Sequence, residues 1–163
     1  MLVYFTIFFA ACMAAALSGA TFPPGNWYQT LDKPSWTPPN WVFPTAWTSI
    51  YLLISWAAAR VALSADTNTS APVVLGLAFW ALQIALNTLW TPVFFGIRRL
   101  GAAFVISLFL TASVVATMYA FWQVDWIAGL MVLPYVAWMC AATALNLSVW
   151  MRNPRVEPID FND

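Results

Sequence analysis

Residues 27–51 read WYQTLDKPSWTPPNWVFPTAWTSIY. Four tryptophans (Trp27, Trp36, Trp41, Trp47) and four prolines (Pro34, Pro38, Pro39, Pro44) surround one charged pair, Asp32 and Lys33. Proline at this density cannot sit inside one helix, because each ring removes a backbone donor and blocks the preceding turn. The stretch is also too apolar for a solvated loop. Indole rings with a polar N–H favour the boundary between lipid and water, and proline leaves little backbone entropy to lose on ordering. The stretch predicts a rigid aromatic loop at a membrane surface, running into a helix at about Val42.

Outward from that loop the composition agrees. The chain has 163 residues, 63% of them hydrophobic and 7% charged, whereas soluble domains carry about 25% charged residues. So few charges cannot cover a water-soluble surface, which makes this an integral membrane protein. A span needs about 20 mostly apolar residues. Five segments qualify, at 2–22, 42–61, 72–95, 100–122 and 126–150. The expected fold is all-α: one membrane domain over residues 1–163, a bundle of five transmembrane helices with the Trp/Pro-rich loop between the first and second. The separators after the loop are Ser64–Ser70, the turn Gly96–Arg99 and a tight turn near Asp125. The polar tail 152–163 contains Pro154 and Pro158 and is expected to fray. The first segment has no Lys or Arg ahead of a long apolar run, so it reads as a span rather than a signal peptide.

The net charge is zero and no basic run exists, which argues against nucleic-acid binding. The chain has no His, and with it goes the commonest metal ligand and acid–base group; no metal site is expected. Cys12 and Cys140 both fall in apolar stretches and read as small core residues. Lys33, Arg98, Arg99, Arg152 and Arg155 fall on one side of a five-span chain and only Arg60 on the other. That bias puts the Trp/Pro loop, the 96–99 turn and the C terminus in the cytoplasm. No Asp, Glu, Lys or Arg lies deep inside a span, so the intramembrane carboxylate common in ion-coupled pumps is missing. Apolar helices favour an inner membrane, since outer-membrane spans are normally barrels.

Inside the bundle, three faces stand out. In the third span Trp80, Gln83, Asn87, Trp90 or Thr91, and Phe94 recur at helical spacing. The Gln83 and Asn87 amides are one turn apart, and an amide in hydrocarbon must find a partner. They either hold neighbouring helices or, for Asn87, face a ligand. In the second span Trp47 and Tyr51 share a face. In the fifth, Pro134, Trp138, Ala141, Ala142 and Leu145 do so, and large rings beside small residues make a recess unless neighbouring helices fill it. Trp56, Trp122, Trp126 and Trp150 lie near span ends and read as belt residues. Ala81 and Ala85 form a small-xxx-small pair suited either to internal packing or to a homodimer.

WYQTLDKPSWTPPNWVFPTAW, NTLWTPVFFG and PYVAWMCAATALN, in that order, resemble the TspO/translocator protein family, also called tryptophan-rich sensory proteins and peripheral-type benzodiazepine receptors. The resemblance runs from about Trp27 to Arg152. It implies a five-helix bundle, usually dimeric, that binds porphyrins and in some members sterols or benzodiazepine-type drugs, with a pocket closed by the first loop. It matches Trp47 and Trp138 to the two tryptophans associated with porphyrin binding and photochemical breakdown, the only candidates for a catalytic role. It matches Tyr28, Tyr51 and Asn87 to pocket-lining positions, and Ala141 and Ala142 to the small residues of the last helix. Tyr28 rests on the resemblance alone. The family's sterol motif lacks its Tyr between Leu145 and Arg152 here, while Arg99, Phe104 and Leu108 satisfy the reversed pattern. The resemblance also admits an outer-membrane location.

The expected function is a membrane receptor and sensor that binds tetrapyrroles (protoporphyrin IX, haem) and regulates porphyrin metabolism. A porphyrin or sterol carrier and a light- and oxygen-dependent porphyrin degradation are the alternatives. No cofactor is required; the porphyrin or haem is the ligand. A flat apolar ring suits Trp and Tyr contacts, and its acidic edge would sit near the loop, where Lys33 and backbone N–H groups are available.

Overall fold

The computed structural model describes residues 1–65 and 70–159. Its elements are α1 (Leu2–Thr21), α2 (Asn26–Thr30), α3 (Val42–Ala65), α4 (Ala71–Thr91), a π turn (Pro92–Gly96), α5 (Leu100–Val124) and α6 (Trp126–Arg152). Among the described residues five helices are long and apolar enough to cross a membrane, α4 counting together with its π turn. The expected all-α bundle is the observed one, with α3, α5 and α6 each running a few residues past the predicted ends. Parts of the expected Ser64–Ser70 separator and of the polar tail, residues 66–69 and 160–163, lie outside the described residues.

Two local elements were not expected. The short α2 sits inside the aromatic loop, between Gly25 and Leu31. At the end of α4, Pro92 has no N–H to give to the turn before it and its ring crowds the carbonyl there. The ladder widens into a π turn closed by Ile97 N donating to Pro92 O at 2.9 Å. The chain then reverses at Arg98, whose φ of 57° is in the left-handed region.

The long helices close a ring in the order α1, α3, α6, α5, α4, with α4 returning to α1. Close approach depends on small residues. A Cβ on Gly76 would stand 2.8 Å from the Phe121 ring, and one on Gly101 2.9 Å from Trp150. Without a hydrophobic drive between helices in lipid, such packing and interhelical hydrogen bonds hold the bundle. The α5–α6 seam carries a hydroxyl pair, Thr111 and Thr143 at 2.9 Å.

The two ends differ. At one end the aromatic loop, the 96–99 turn and the chain after α6 meet. Asp32 N donates to Asn153 Oδ1 and Asn153 Nδ2 to Asp32 O, both at 2.9 Å, and Arg152 lies 3.6 Å from the Asp32 carboxylate. The Arg98 guanidinium lies 5.1 Å from the Trp27 ring, and Ile159 N donates to Ile97 O at 3.1 Å. This is the gathering that the alternation of five spans predicts. At the other end Arg60 donates to Asp125 at 2.6 Å, while Asp125 Oδ1 caps α6 by accepting from Ile127 N and Ala128 N. Burial alone would raise the Asp125 carboxyl, but the Arg60 hydrogen bond and charge and the two backbone N–H groups hold it below its ordinary range.

Candidate functional site

A cavity of about 810 Å³ lies under the aromatic loop, walled by α1, α3, α4 with its π turn, and α6. α1 supplies Phe9, Met13, Ala15, Ala16, Ser18 and Gly19; α3 supplies Phe43, Pro44, Trp47, Thr48 and Tyr51. From α4 and the π turn come Asn87, Trp90, Thr91, Phe94 and Phe95, and from α6 Ala142, Leu145, Asn146 and Val149. Phe22, Pro24, Tyr28, Gln29 and Asn40 close the loop side. Among the described residues no Asp, Glu, Lys or Arg is in the wall. A drug-sized ligand typically occupies about 300–1,000 Å³ of mostly apolar space with a few placed polar groups, and this cavity has that character.

Each polar wall group is positioned by its element. Tyr51 and Asn87 face each other from α3 and α4, with Asn87 Nδ2 donating to the Tyr51 hydroxyl at 2.9 Å. Trp90 Nε1 donates to Asn146 Oδ1 at 2.9 Å, and Asn146 Nδ2 in turn to Leu100 O at 3.2 Å. That chain fixes the Trp90 ring, which stacks on Phe94 with centroids 4.8 Å apart. The π turn matters here: it lets the successive residues Phe94 and Phe95 both reach the cavity. Trp47 sits 5.4 Å from the Tyr51 ring and 5.8 Å from Tyr135. Tyr28, on α2, packs edge-on to Phe95 at 5.4 Å. Burial pushes its phenol above the ordinary value.

Of the residues singled out from sequence, Tyr28, Trp47, Tyr51, Asn87, Ala142 and Leu145 come together in this wall. Trp138 and Ala141 do not. Trp138 packs edge-on to Phe43 at 5.7 Å, and its buried Nε1 has no partner. Ala141 is exposed on the outside of α6. The buried face of α6 is Ala128, Gly129, Val132, Tyr135, Met139, Thr143, Leu145, Asn146 and Val149. The large-beside-small pattern reaches past it to the exposed Pro134 and Ala141, because Ala and Pro lose nothing by facing lipid. The polar residues Tyr135, Thr143 and Asn146 mark it correctly, since they need partners inside.

The two amides of the third span divide the two roles open to them. Gln83 Oε1 accepts from the fully buried Tyr135 hydroxyl at 3.0 Å and lies outside the wall, so it joins helices, whereas Asn87 is in the wall. Lys33 is not in the wall either. Its Nζ donates to Tyr28 O at 2.6 Å and lies 4.5 Å from the Tyr28 ring. Ala81 and Ala85 are exposed on α4.

A profile of the TspO/MBR family matches residues 5–151. The protein CrtK of Rhodobacter capsulatus is 54% identical over 158 residues, covering 97% of this chain and 98% of the relative. The tryptophan-rich sensory protein of Cereibacter sphaeroides is 48% identical, with 91% and 90% covered. The human translocator protein is 38% identical over 128 residues, 78% of this chain and 75% of that protein.

Proposed function

The chain belongs to the TspO/MBR family, and from that premise we propose that it is a membrane receptor and sensor that binds tetrapyrroles in the cavity under the aromatic loop. One observation carries the proposal: a space of about 810 Å³ walled by Trp, Tyr and Phe rings, with neutral polar groups and, among the described residues, no charged side chain. A macrocycle with a large apolar face gains contact from such rings. Its carboxylates are too costly to leave in an uncharged wall. They belong at the loop rim, where Gln29 and Asn40 line the cavity and water is near. Lys33 donates one of its three N–H groups to Tyr28 O and has others to offer a carboxylate at that rim.

No His is present in the sequence, so the commonest axial ligation of haem iron is excluded. Metal-free protoporphyrin IX and haem then bind alike, through the ring. The test is titration of detergent-purified protein with each, followed by tryptophan quenching and absorbance. Saturable binding is expected, weakened about tenfold by Asn87→Ala, the size of one lost hydrogen bond, and also weakened by Trp47→Phe. Unsaturable binding, or binding indifferent to both changes, would sink the proposal. A His-type six-coordinate haem spectrum would sink the ring-contact account.

One observation favours a second reading, oxidative breakdown of the light-excited ring by dioxygen. Trp47 faces the cavity, and indoles are oxidisable, so the chemistry would belong largely to the ligand. Products formed under light should vanish in Trp47→Phe and persist in Trp138→Phe. The reverse pattern would exclude Trp47 as the electron donor.

A further inference from the structure

We propose that the cavity is entered sideways from the bilayer, through a window between the second half of α1 and the first half of α3. This rests on the tetrapyrrole reading for its ligand and adds that the ligand is drawn from the lipid phase. α1 and α3 are joined toward the Arg60 end, where Phe5 packs on Trp56 at 5.0 Å and Cys12 Sγ meets Ser55 Oγ at 3.4 Å. Toward the loop end, Met13 and Gly19 on α1 and Pro44 and Thr48 on α3 line the cavity and are exposed rather than covered by neighbouring helices. Cavity-lining residues left uncovered form the rim of an opening.

Two further observations support the window. A Cβ built on Gly19 meets nothing within 4 Å, so the rim has a gap beside it. On the outer surface of α3 a groove lined by Pro44, Thr45, Thr48 and Ser49 shares Pro44 and Thr48 with the cavity. Only the Pro44 and Thr48 side chains separate the inner space from this outer groove on α3. The Thr45 and Ser49 hydroxyls are returned to the backbone at Trp41 O and Thr45 O, which leaves the groove mostly methyl and methylene. Thr48 lies about 9 Å along α3 from its start, at 1.5 Å per residue, within the loop-side leaflet.

The competing door is the aromatic loop, and it is tied shut. Lifting it breaks the paired Asp32–Asn153 hydrogen bonds, the Arg152 contact and the Arg98 contact with the Trp27 ring. Passage through the window breaks none of these.

The experiment mixes protein reconstituted in phosphatidylcholine vesicles with vesicles carrying protoporphyrin IX and follows the porphyrin signal by stopped flow. Gly19→Leu and Thr48→Phe narrow the window from its two sides; Gly19 has open space for the added atoms, so that variant keeps the fold even if Thr48→Phe does not. Dissociation should slow by about tenfold, because a blocked path raises the barrier to leaving; added atoms that only crowded the bound ring would speed it instead. Asn153→Ala, which unties the loop, should leave association and dissociation within about twofold of wild type. Wild-type rates in Gly19→Leu, or faster association in Asn153→Ala alone, would overturn the window while leaving the binding reading intact. A wild type that binds no protoporphyrin removes both.

Discussion

α1 and α5 are both apolar spans, yet they do opposite work. α5 buries nine residues, four of them with hydroxyl or aromatic side chains (Ser107, Ser113, Thr117, Phe121), and contributes none to the cavity. α1 buries only Cys12 and Ala15 and contributes six residues to the cavity wall. Apolar composition alone does not separate them, because lipid and protein interior are equally good solvents for Leu and Phe. What separates them is polar anchoring. α5 is stitched to α6 by Thr111 with Thr143 and by Asn146 with Leu100 O, while α1 touches α3 through one thiol–hydroxyl contact and ring edges. One side of the bundle is scaffold and the other is cavity wall.

The strongest way to break this contrast is Phe121→Ala. The ring is fully buried beneath Gly76, and removing it should cost about 3–5 kcal/mol of stability, read as a drop in the denaturation midpoint in detergent. Porphyrin affinity per folded molecule should hardly move. A loss of affinity with stability unchanged would reverse the assignment of α5.

Asn146→Ala tests where the two regions meet. It strands the buried Trp90 Nε1 and Leu100 O together, costing about 2 kcal/mol, and it frees the Trp90 ring in the cavity wall. Stability and affinity should fall together, unlike in Phe121→Ala. A change in only one of them would mean that the chain from Leu100 to Trp90 does not couple scaffold to site.

The Arg60–Asp125 pair pins α3 to the turn between α5 and α6. Because the Asp125 carboxyl is held below its ordinary value of 3.8, the pair's contribution is fully present above that pH. It is lost as pH falls through the lower folded value. Asp125→Asn keeps some capping of α6, so the neutral-pH loss should be about 1 kcal/mol. Below the folded value the variant and wild type should converge. Divergence on acidification would show that Asp125 is not the group responsible.

Met13→Ala should give the smallest effect. Met13 is 47% exposed on α1, so its loss should alter stability by no more than about 0.5 kcal/mol. It should also speed porphyrin exchange by widening the rim. A loss of several kcal/mol would make α1 a packed core helix after all.

The sequence shows where each of these properties is legible. Length and apolarity give the spans, since a helix must satisfy its own backbone in lipid. They do not give α2, a five-residue turn among prolines with no room for a periodic pattern. The π turn had a visible cause in Pro92, but a proline equally well ends a helix, so only the backbone decides. Within the site, Asn87 is readable because an amide in hydrocarbon must pair, and Tyr51 because it shares a face with Trp47. Tyr135 and Asn146 carry the same polar signal, which the Trp/Ala pattern of α6 obscures by extending the face to Ala141. Trp138 is off the wall for a reason its own helix does not show: it packs edge-on to Phe43, distant in sequence, and Phe43 lines the cavity. Loop residues Gln29 and Asn40 had no periodicity to betray them.

Ala141 and Ala142 make the most direct test, because these neighbours on α6 point about 100° apart, Ala142 lining the cavity and Ala141 exposed away from it. Protoporphyrin IX is titrated into Ala141→Leu and Ala142→Leu, both checked for an unchanged midpoint of thermal unfolding. The cavity account predicts binding weakened about tenfold or more in Ala142→Leu, whose added atoms enter the space, and wild-type binding in Ala141→Leu. Weakening in Ala141→Leu alone, or equal effects in both, would contradict it.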